Sequence, residues 1–99
     1  MEIHLEPQAV ALLYHQAKAD FQACINDPDN AFLQEQVPLP LRDIVVREAD
    51  VKLVFAAGSG VVARREVHLD LYDNGTWMGA YVSIRAATGE RLDDRLVFH

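Results

Sequence analysis

Three side chains that could bind a metal ion recur at every second position in the middle of the chain, namely Glu66, His68 and Asp70. On a β-strand this spacing places all three on one face, with roughly 7 Å between successive members. Metal donors must approach the ion to about 2.0–2.2 Å, so the row needs help from elsewhere to grip one ion. No cysteine pair and no helical His-x-x-x-His pattern accompanies the row. A solvated strand face explains it better, and we predict no metal and no cofactor.

The same row is the best candidate for acid–base catalysis, with His68 paired to Asp70 or Glu66. A flat strand excludes little water, whereas perturbed pKa values require burial. The chain contains no Gly-x-Ser-x-Gly nucleophile motif, and its one cysteine, Cys24, has no histidine on the same face of its segment. We therefore predict a protein that is not an enzyme, and keep a small hydrolase or metal-dependent enzyme around this row as an alternative.

A third group of side chains combines aromatic rings with arginine. Tyr, Trp and Arg are the residue types most enriched at the energetic centres of protein interfaces. Cross-strand pairing of Tyr72 with Trp77 beside a tight turn also explains these two rings. It explains less easily a whole stripe of aromatic and basic residues, because large aromatics are seldom left fully exposed. The sequence predicts a binding surface formed by Arg64, Tyr72, Trp77, Tyr81 and Arg85.

Net charge bears on the kind of partner. The formal net charge of the 99-residue chain is −6, which disfavours general binding to phosphate backbones or anionic membranes. Aromatics flanked by arginine on a sheet can stack nucleic-acid bases, but Glu66, Asp70 and Asp93 share this predicted face. We expect a protein partner or a second copy of the chain, with nucleic acid disfavoured but left open and no membrane partner.

The candidate residues are positioned by a predicted β-hairpin over residues 66–85 that turns at Asn74-Gly75. Both turn residues tolerate positive φ, as a two-residue type I′ turn requires. That turn also sets the register of the two strands, and the register decides which side chains share a face. The predicted pairs are Asp73 with Thr76, Tyr72 with Trp77, His68 with Tyr81 and Arg64 with Arg85.

A further strand is predicted after a three-residue loop, Ala87-Thr88-Gly89, with Gly89 in the left-handed region. Asp94 then falls on the apolar side, which suggests an edge strand whose inward charge discourages aggregation. Before the hairpin, alternating residues over 44–55 predict either a strand pair or one bent strand interrupted near 48–50. The predicted pairs of the last strand are Ile84 with Leu92, Ala80 with Leu96 and Met78 with Phe98.

The N-terminal part of the chain predicts one helix over about residues 7–26. Pro7 suits the first turn, and the residue before Pro28 avoids the helical conformation, so these prolines mark its ends. Its apolar residues recur at spacings of three and four, so the helix must dock on another element. Residues 27–41 form a connector in which 31–36 could make one extra helical turn. The apolar stripe consists of Val10, Leu13, Ala17, Phe21 and Cys24.

The segment Asn74-Gly-Thr-Trp-Met-Gly-Ala-Tyr-Val82, together with a helix followed by about five short bent strands, resembles the Sm-like small barrels. The resemblance implies assembly into rings through edge strands. Where the family's Asp-x-x-hydrophobic-Asn loop contacts RNA, this chain has Arg85-Ala-Ala-Thr-Gly89, so the implied RNA binding does not carry over to these residues. A degenerate Sm-like nucleic-acid-binding protein is thus an alternative.

The hydrophobic fraction of 51% and the charged fraction of 24% are typical of a globular chain. The acidic start lacks a basic region followed by an apolar one, so no signal peptide is expected. No apolar run approaches the roughly 18 residues that span a bilayer, and we expect a cytoplasmic protein. The predicted fold is a single α+β domain over residues 1–99, with a helix on a four- or five-stranded, strongly bent antiparallel sheet (42–98) that could close into a small barrel. Its predicted function is protein–protein binding or self-association through the sheet.

Overall fold

The computed structural model describes residues 5–99; the first four residues of the acidic start lie outside the described part. One α-helix, α1, is followed by two 3-10 helices and four strands, β1 to β4. No helix of residues 5–99 is long and apolar enough to cross a bilayer. The elements are α1 (Pro7–Asn26), the 3-10 helices (Pro28–Gln36 and Leu41–Asp43), β1 (Val45–Phe55), β2 (Val62–Asp73), β3 (Thr76–Ala86) and β4 (Arg91–Phe98).

Helix α1 occupies the predicted span, with Pro7 in its first turn. It ends before Pro28, where the Asp27 carboxylate accepts a hydrogen bond of 2.9 Å from the backbone N–H of Asp29. The predicted stripe is buried from Leu13 to Cys24, whereas Val10 at its start is only partly buried. The helix therefore holds its place by burying one face against the sheet.

The connector is more helical than predicted. Its first 3-10 helix extends over nine residues, Pro28–Gln36, and buries Leu33. Asn30 Nδ2 donates to the carbonyl of Cys24 at 2.9 Å, which ties this helix to the end of α1. Gln34 Nε2 donates to the carbonyl of Leu39 at 2.7 Å, and Gln34 Oε1 accepts from the N–H of Leu41 at 3.0 Å. These two bonds fold the proline-rich stretch back onto the core.

The strands form one antiparallel sheet in the order β1-β2-β3-β4. Strands β1 and β4 are the two edges, so the sheet is open and does not close into the small barrel that the Sm-like resemblance implies. Of the two alternatives for residues 44–55, the structure has the single strand, with an irregular step between Glu48 and Val51. The fold class is α+β, as predicted.

The Asn74-Gly75 turn is confirmed. Asn74 has φ 47° and Gly75 has φ 86°, and the flanking pairs Asp73–Thr76 and Tyr72–Trp77 are the predicted ones. In the loop before β4, Gly89 has the predicted positive φ of 96°.

Beyond these first pairs the predicted register of β2 and β3 is wrong by one residue. A bulge at Met78 and Gly79 sets both residues against Leu71, so that His68 lies opposite Val82 instead of Tyr81. Glycine permits the bulge, because a Cβ on Gly79 would collide with the carbonyl oxygen of Val97 on β4. The pairs of β3 with β4 are displaced as well: Ile84 opposes Asp93, and Ala80 opposes Val97.

The bulge reverses the faces of β3. Tyr81, Ser83 and Arg85 lie under α1, while Ala80, Val82 and Ile84 lie on the other side. In β4 the predicted inward residue Asp94 remains inward, next to Tyr81. The rings of Tyr81 and Phe21 meet edge-to-face, with centroids 5.4 Å apart. The main core therefore lies between α1, the connector and one face of the sheet; it includes Leu13, Phe21, Leu33, Leu69, Leu71 and Tyr81.

Candidate binding surface

The side of the sheet turned away from α1 carries an apolar row on β3 between charged rows on its neighbours. Pairing across the strands determines its members, because residues directly opposite share a face. Arg47 lies opposite Asp70, and Lys52 lies opposite Glu66. We call this side the open face; it consists of Val45, Arg47, Lys52, Val54, Arg64, Glu66, His68, Asp70, Tyr72, Trp77, Ala80, Val82, Ile84, Ala86, Asp93, Arg95 and Val97.

The centre of the open face is shielded by its own side chains. Ile84 is only 6% exposed although it stands apart from the main core cluster, and Glu66 and Asp93 flank it on the neighbouring strands. One end of the face is less shielded: Val45, Trp77 and Val97 are each exposed by about half. The open face thus combines a partly shielded apolar centre with exposed apolar side chains at one end.

That end is an aromatic cluster. Trp77 stacks on His99, with ring centroids 5.1 Å apart and an interplanar angle of 24°, and its indole Nε1 donates to Asp70 at 3.2 Å. The guanidinium carbon of Arg47 lies 4.4 Å from the centre of the Tyr72 ring. These contacts fix the orientation of both large rings, which lowers the entropy lost when a partner binds them.

A groove of about 450 Å³ opens beside the aromatic cluster. Trp77, Met78 and Phe98 bound it on the sheet, and Val37 and Pro38 bound it on the connector. The exposed side of Trp77 can therefore be approached both along the sheet and from its end.

The predicted binding residues divide between the two faces. Arg64, Tyr72 and Trp77 lie on the open face as expected, although Arg64 is eight positions from Tyr72 along β2, or roughly 26 Å. Placing Tyr81 and Arg85 on the same face was wrong, because the bulge turns both towards α1. Tyr81 is 0% exposed and belongs to the core.

The candidate metal-binding and catalytic side chains Glu66, His68 and Asp70 lie in one line along β2. His68 Nε2 lies 3.8 Å from Glu66 Oε1 and is buried without a hydrogen-bond partner among the described residues, while Asp70 is engaged by Trp77. Within the described part of the chain, no group of three His, Cys, Asp or Glu residues is arranged to hold a metal ion. The three side chains line up but do not converge.

Arg85 instead joins the sheet to the helix. Its Nη2 and Nε donate to the Asp20 carboxylate at 2.7 and 3.1 Å, and Ser83 Oγ donates to the same carboxylate at 2.6 Å. Burial raises the pKa of Asp20, but the hydrogen bonds from Arg85 and Ser83 outweigh it, so the pKa stands below its usual range. Arg85 Nη1 also donates to the carbonyl of Gly89 at 2.6 Å. This buried polar cluster holds α1 in register on the sheet.

A second polar cluster lies beside it. The Tyr81 hydroxyl donates to Asp94 Oδ2 at 2.9 Å, and Arg91 Nη2 donates to the same oxygen at 2.7 Å. Burial and the Asp94 carboxylate raise the pKa of the Tyr81 hydroxyl far above its usual range. Burial, with Asp94 nearby, also raises the pKa of the Cys24 thiol. Both groups stay protonated at neutral pH, so they are structural and not nucleophilic.

Sequence reasoning missed a second surface, on the α1 side of the β1–β2 hairpin. Two cavities of about 310 and 350 Å³ lie side by side there and share Leu5 and Leu53. Arg65 lines the first of them. In the sequence, the signal was an arginine at this position among the apolar alternate residues Ala63, Val67, Leu69 and Leu71. We call this surface the apolar trough; its other members include Ala9, Val10, Leu12, Val51, Phe55 and Val62.

No family model, no curated protein and no solved structure matches the chain.

Proposed function

We propose that the chain is a non-enzymatic binding module that associates with a second copy of itself through the open face. The observation that supports this most directly is the group of half-exposed side chains Val45, Trp77 and Val97, which lies at the end of the apolar row of β3 on the side of the sheet away from α1. An antiparallel sheet with an apolar strip on its second face can bury that strip by stacking on another sheet.

The distribution of charge favours a second copy as the occupant. The whole chain carries a net charge of −6, so two copies repel each other over most of their surfaces. The open face is an exception, because its four cationic side chains outnumber its three acidic ones. Two copies can therefore approach through this face at a low electrostatic cost, and the mixed signs allow ion pairs between them. The cations are Arg47, Lys52, Arg64 and Arg95, and the acids are Glu66, Asp70 and Asp93.

The size of the face is compatible with a stable dimer. Four strands of 8 to 12 residues span on the order of 19 by 33 Å, or about 600 Å² on each copy. Two such faces bury on the order of 1,200 Å², the lower end of the range for specific protein interfaces. The expected affinity is therefore moderate, with dissociation in the micromolar range.

Sedimentation velocity between 1 and 200 µM tests the proposal. The wild type should shift from monomer to dimer, and Val82→Lys should remain a monomer, because it places a charge at the centre of each face. Trp77→Ala should weaken the dimer at least tenfold, since a buried tryptophan anchor contributes about 2 kcal/mol or more. Phe32→Ala is the matched control: Phe32 is 54% exposed on the first 3-10 helix, away from the sheet, and its loss should not change the dimer.

A wild type that stays monomeric throughout this range would contradict the proposal. So would a dimer that Val82→Lys leaves intact, because association would then use an edge strand or the apolar trough. Urea unfolding of each variant separates lost binding from lost folding. If Trp77→Ala lowers stability but not association, its role is confined to packing the hairpin.

A further inference from the structure

The apolar trough is bounded by side chains whose apolar surface no other described element covers. Leu12 is exposed by about half and Phe55 by slightly less, and Leu5 lines both cavities. The first cavity, of about 310 Å³, has the size of a small-molecule site, and the second continues it along β1 towards Phe55. Together they form an open apolar groove long enough for an aliphatic chain.

A cation without a counter-ion among residues 5–99 lies in the first cavity. Arg65 projects from β2 on the α1 side, opposite Leu53. It makes no ion pair with the described residues, and its Nε is buried without a hydrogen-bond partner from them. The one buried carboxylate among residues 5–99, Asp20, is already held by Arg85 and Ser83. Burying part of a guanidinium without an anion is unfavourable, so an incoming carboxylate gains binding energy there.

The position of the guanidinium sets the polar end of the site. A Cβ placed on Gly89 would lie 3.6 Å from Arg65 Nη2, so the guanidinium reaches towards the β3–β4 loop, and Ala87 of that loop lines the cavity. The amide oxygen of Gln16, also buried without a partner in the described part of the chain, lines a separate small pocket that shares Leu13 and Arg65 with the first cavity.

We propose that the apolar trough binds a medium-chain fatty acid, with the carboxylate on Arg65 and the tail along Leu5, Leu53 and Phe55. A guanidinium pairs with a carboxylate through two parallel hydrogen bonds, which fixes the head group. Each methylene of the tail that leaves water strengthens binding about fourfold. This site lies on the α1 side of the sheet and is independent of the proposed dimer through the open face.

Backbone amide NMR of the ¹⁵N-labelled protein, titrated with octanoate, decanoate and dodecanoate below micelle formation, tests the site. The amides of Leu53, Val62, Arg65 and Ala87 should shift, and that of Trp77 should not. Affinity should rise about fourfold per methylene until the trough is filled. Decanol should bind at least tenfold more weakly than decanoate, and decyltrimethylammonium more weakly still, because it places a cation beside Arg65.

Two variants test which protein side chain contacts the carboxylate of the ligand and which contacts its tail. Arg65→Met keeps a long apolar side chain and should abolish the preference for decanoate over decanol. Leu12→Glu changes an exposed residue, so it should fold, and it should weaken decanoate at least tenfold by placing a charge beside the tail. Arg42→Met is the matched control, because Arg42 is an exposed arginine on the second 3-10 helix and belongs neither to the apolar trough nor to the open face; its affinity should equal that of the wild type.

Equal affinities for decanoate and decanol in the wild type would overturn the proposal, even if Arg65→Met failed to fold. Shifts spread over the whole sheet, or no dependence on chain length, would do the same. An apolar peptide with a free C-terminal carboxylate that shifts these amides while decanoate does not would also overturn it, in favour of a peptide site.

Discussion

Removing the charge of Asp20 should destabilise the protein more than any other single change at an ion pair of the described residues. Asp20 is 6% exposed and accepts hydrogen bonds from Ser83 and from two nitrogens of Arg85. The variant Asp20→Asn keeps the shape of the side chain. It leaves the guanidinium of Arg85 beneath the helix without its anion.

The magnitude follows from the burial of the two partners. Losing one member of a buried ion pair costs about 3–5 kcal/mol, and a hydrogen bond to a charged group contributes about 1.5–3 kcal/mol. The Arg85 side chain is 23% exposed and can recover some hydration. We therefore expect Asp20→Asn to lower the free energy of unfolding by about 2–3 kcal/mol. In a chain of this length that corresponds to a Tm lower by roughly 10 °C or more.

The free energy of unfolding that Asp20→Asn loses relative to the wild type should become smaller as the pH is lowered. The pKa of Asp20 in the folded protein is below its ordinary value of 3.8, since the contacts with Arg85 and Ser83 outweigh the effect of burial. Its stabilisation is thus complete above about pH 4 and disappears as the pH falls through the lowered folded pKa. Asparagine does not titrate, so the difference between wild type and Asp20→Asn should shrink as the pH is lowered from 4 towards 2.

Urea unfolding at pH 7, 4 and 2.5 measures these differences. Lys18→Gln is the control on the same helix, because Lys18 and Glu48 form a solvated pair at 2.7 Å with both side chains nearly half exposed. It should cost less than about 1 kcal/mol. A loss for Asp20→Asn as small as that of Lys18→Gln, or a loss that is unchanged at pH 2.5, would refute the reasoning.

Three further predictions concern the approach of β4 to β3 and the core between α1 and the sheet. Gly79→Ala should cost about 3 kcal/mol or more and speed amide exchange in β4, because its Cβ meets backbone, whereas Gly58→Ala, in open space with φ 73°, should cost only about 1–2 kcal/mol. Equal losses for the two variants, measured by urea unfolding, would contradict the close approach of β4. Tyr81→Phe removes the hydrogen bond to Asp94 but keeps the ring, so it should cost about 1–2 kcal/mol by the same assay; an unchanged stability would show that this bond contributes nothing. The Cys24 thiol, buried and with a raised pKa, should react with iodoacetamide at pH 7.5 at least tenfold more slowly than in urea, and equal rates would contradict its burial.

Short-range sequence preferences were enough to predict the helix, the strands and one turn. The prolines at 7 and 28 bracket α1, and the spacing of its apolar residues identified the face that Leu13, Ala17 and Phe21 bury. Asn74 and Gly75 both need positive φ, which placed the hairpin and its first two pairs correctly. These features depend on residues close in sequence, where a side chain restricts its own backbone or its neighbour's.

The composition of the candidate site depended on contacts that are distant in sequence. Strand side chains alternate with a period of two, so the single extra residue at Met78 and Gly79 moved Tyr81 and Arg85 from the open face into the interior. The glycine inside a strand was a signal for a bulge, but only the approach of the Val97 carbonyl explains why the bulge occurs there. The same exchange of faces brought Arg85 to Asp20, 65 residues away, and put the apolar row of β3 on the open face.

The sequence by itself determined a helix, a hairpin at Asn74-Gly75 and an α+β fold, because each follows from backbone preferences and a short-range period. Only the tertiary structure decided which side of β3 is inside, that the sheet stays open, and that Arg65 lies in an apolar trough without a carboxylate from residues 5–99. The physical reason is that register and burial are set by packing between elements, where one residue more or less in a strand reverses every side chain beyond it.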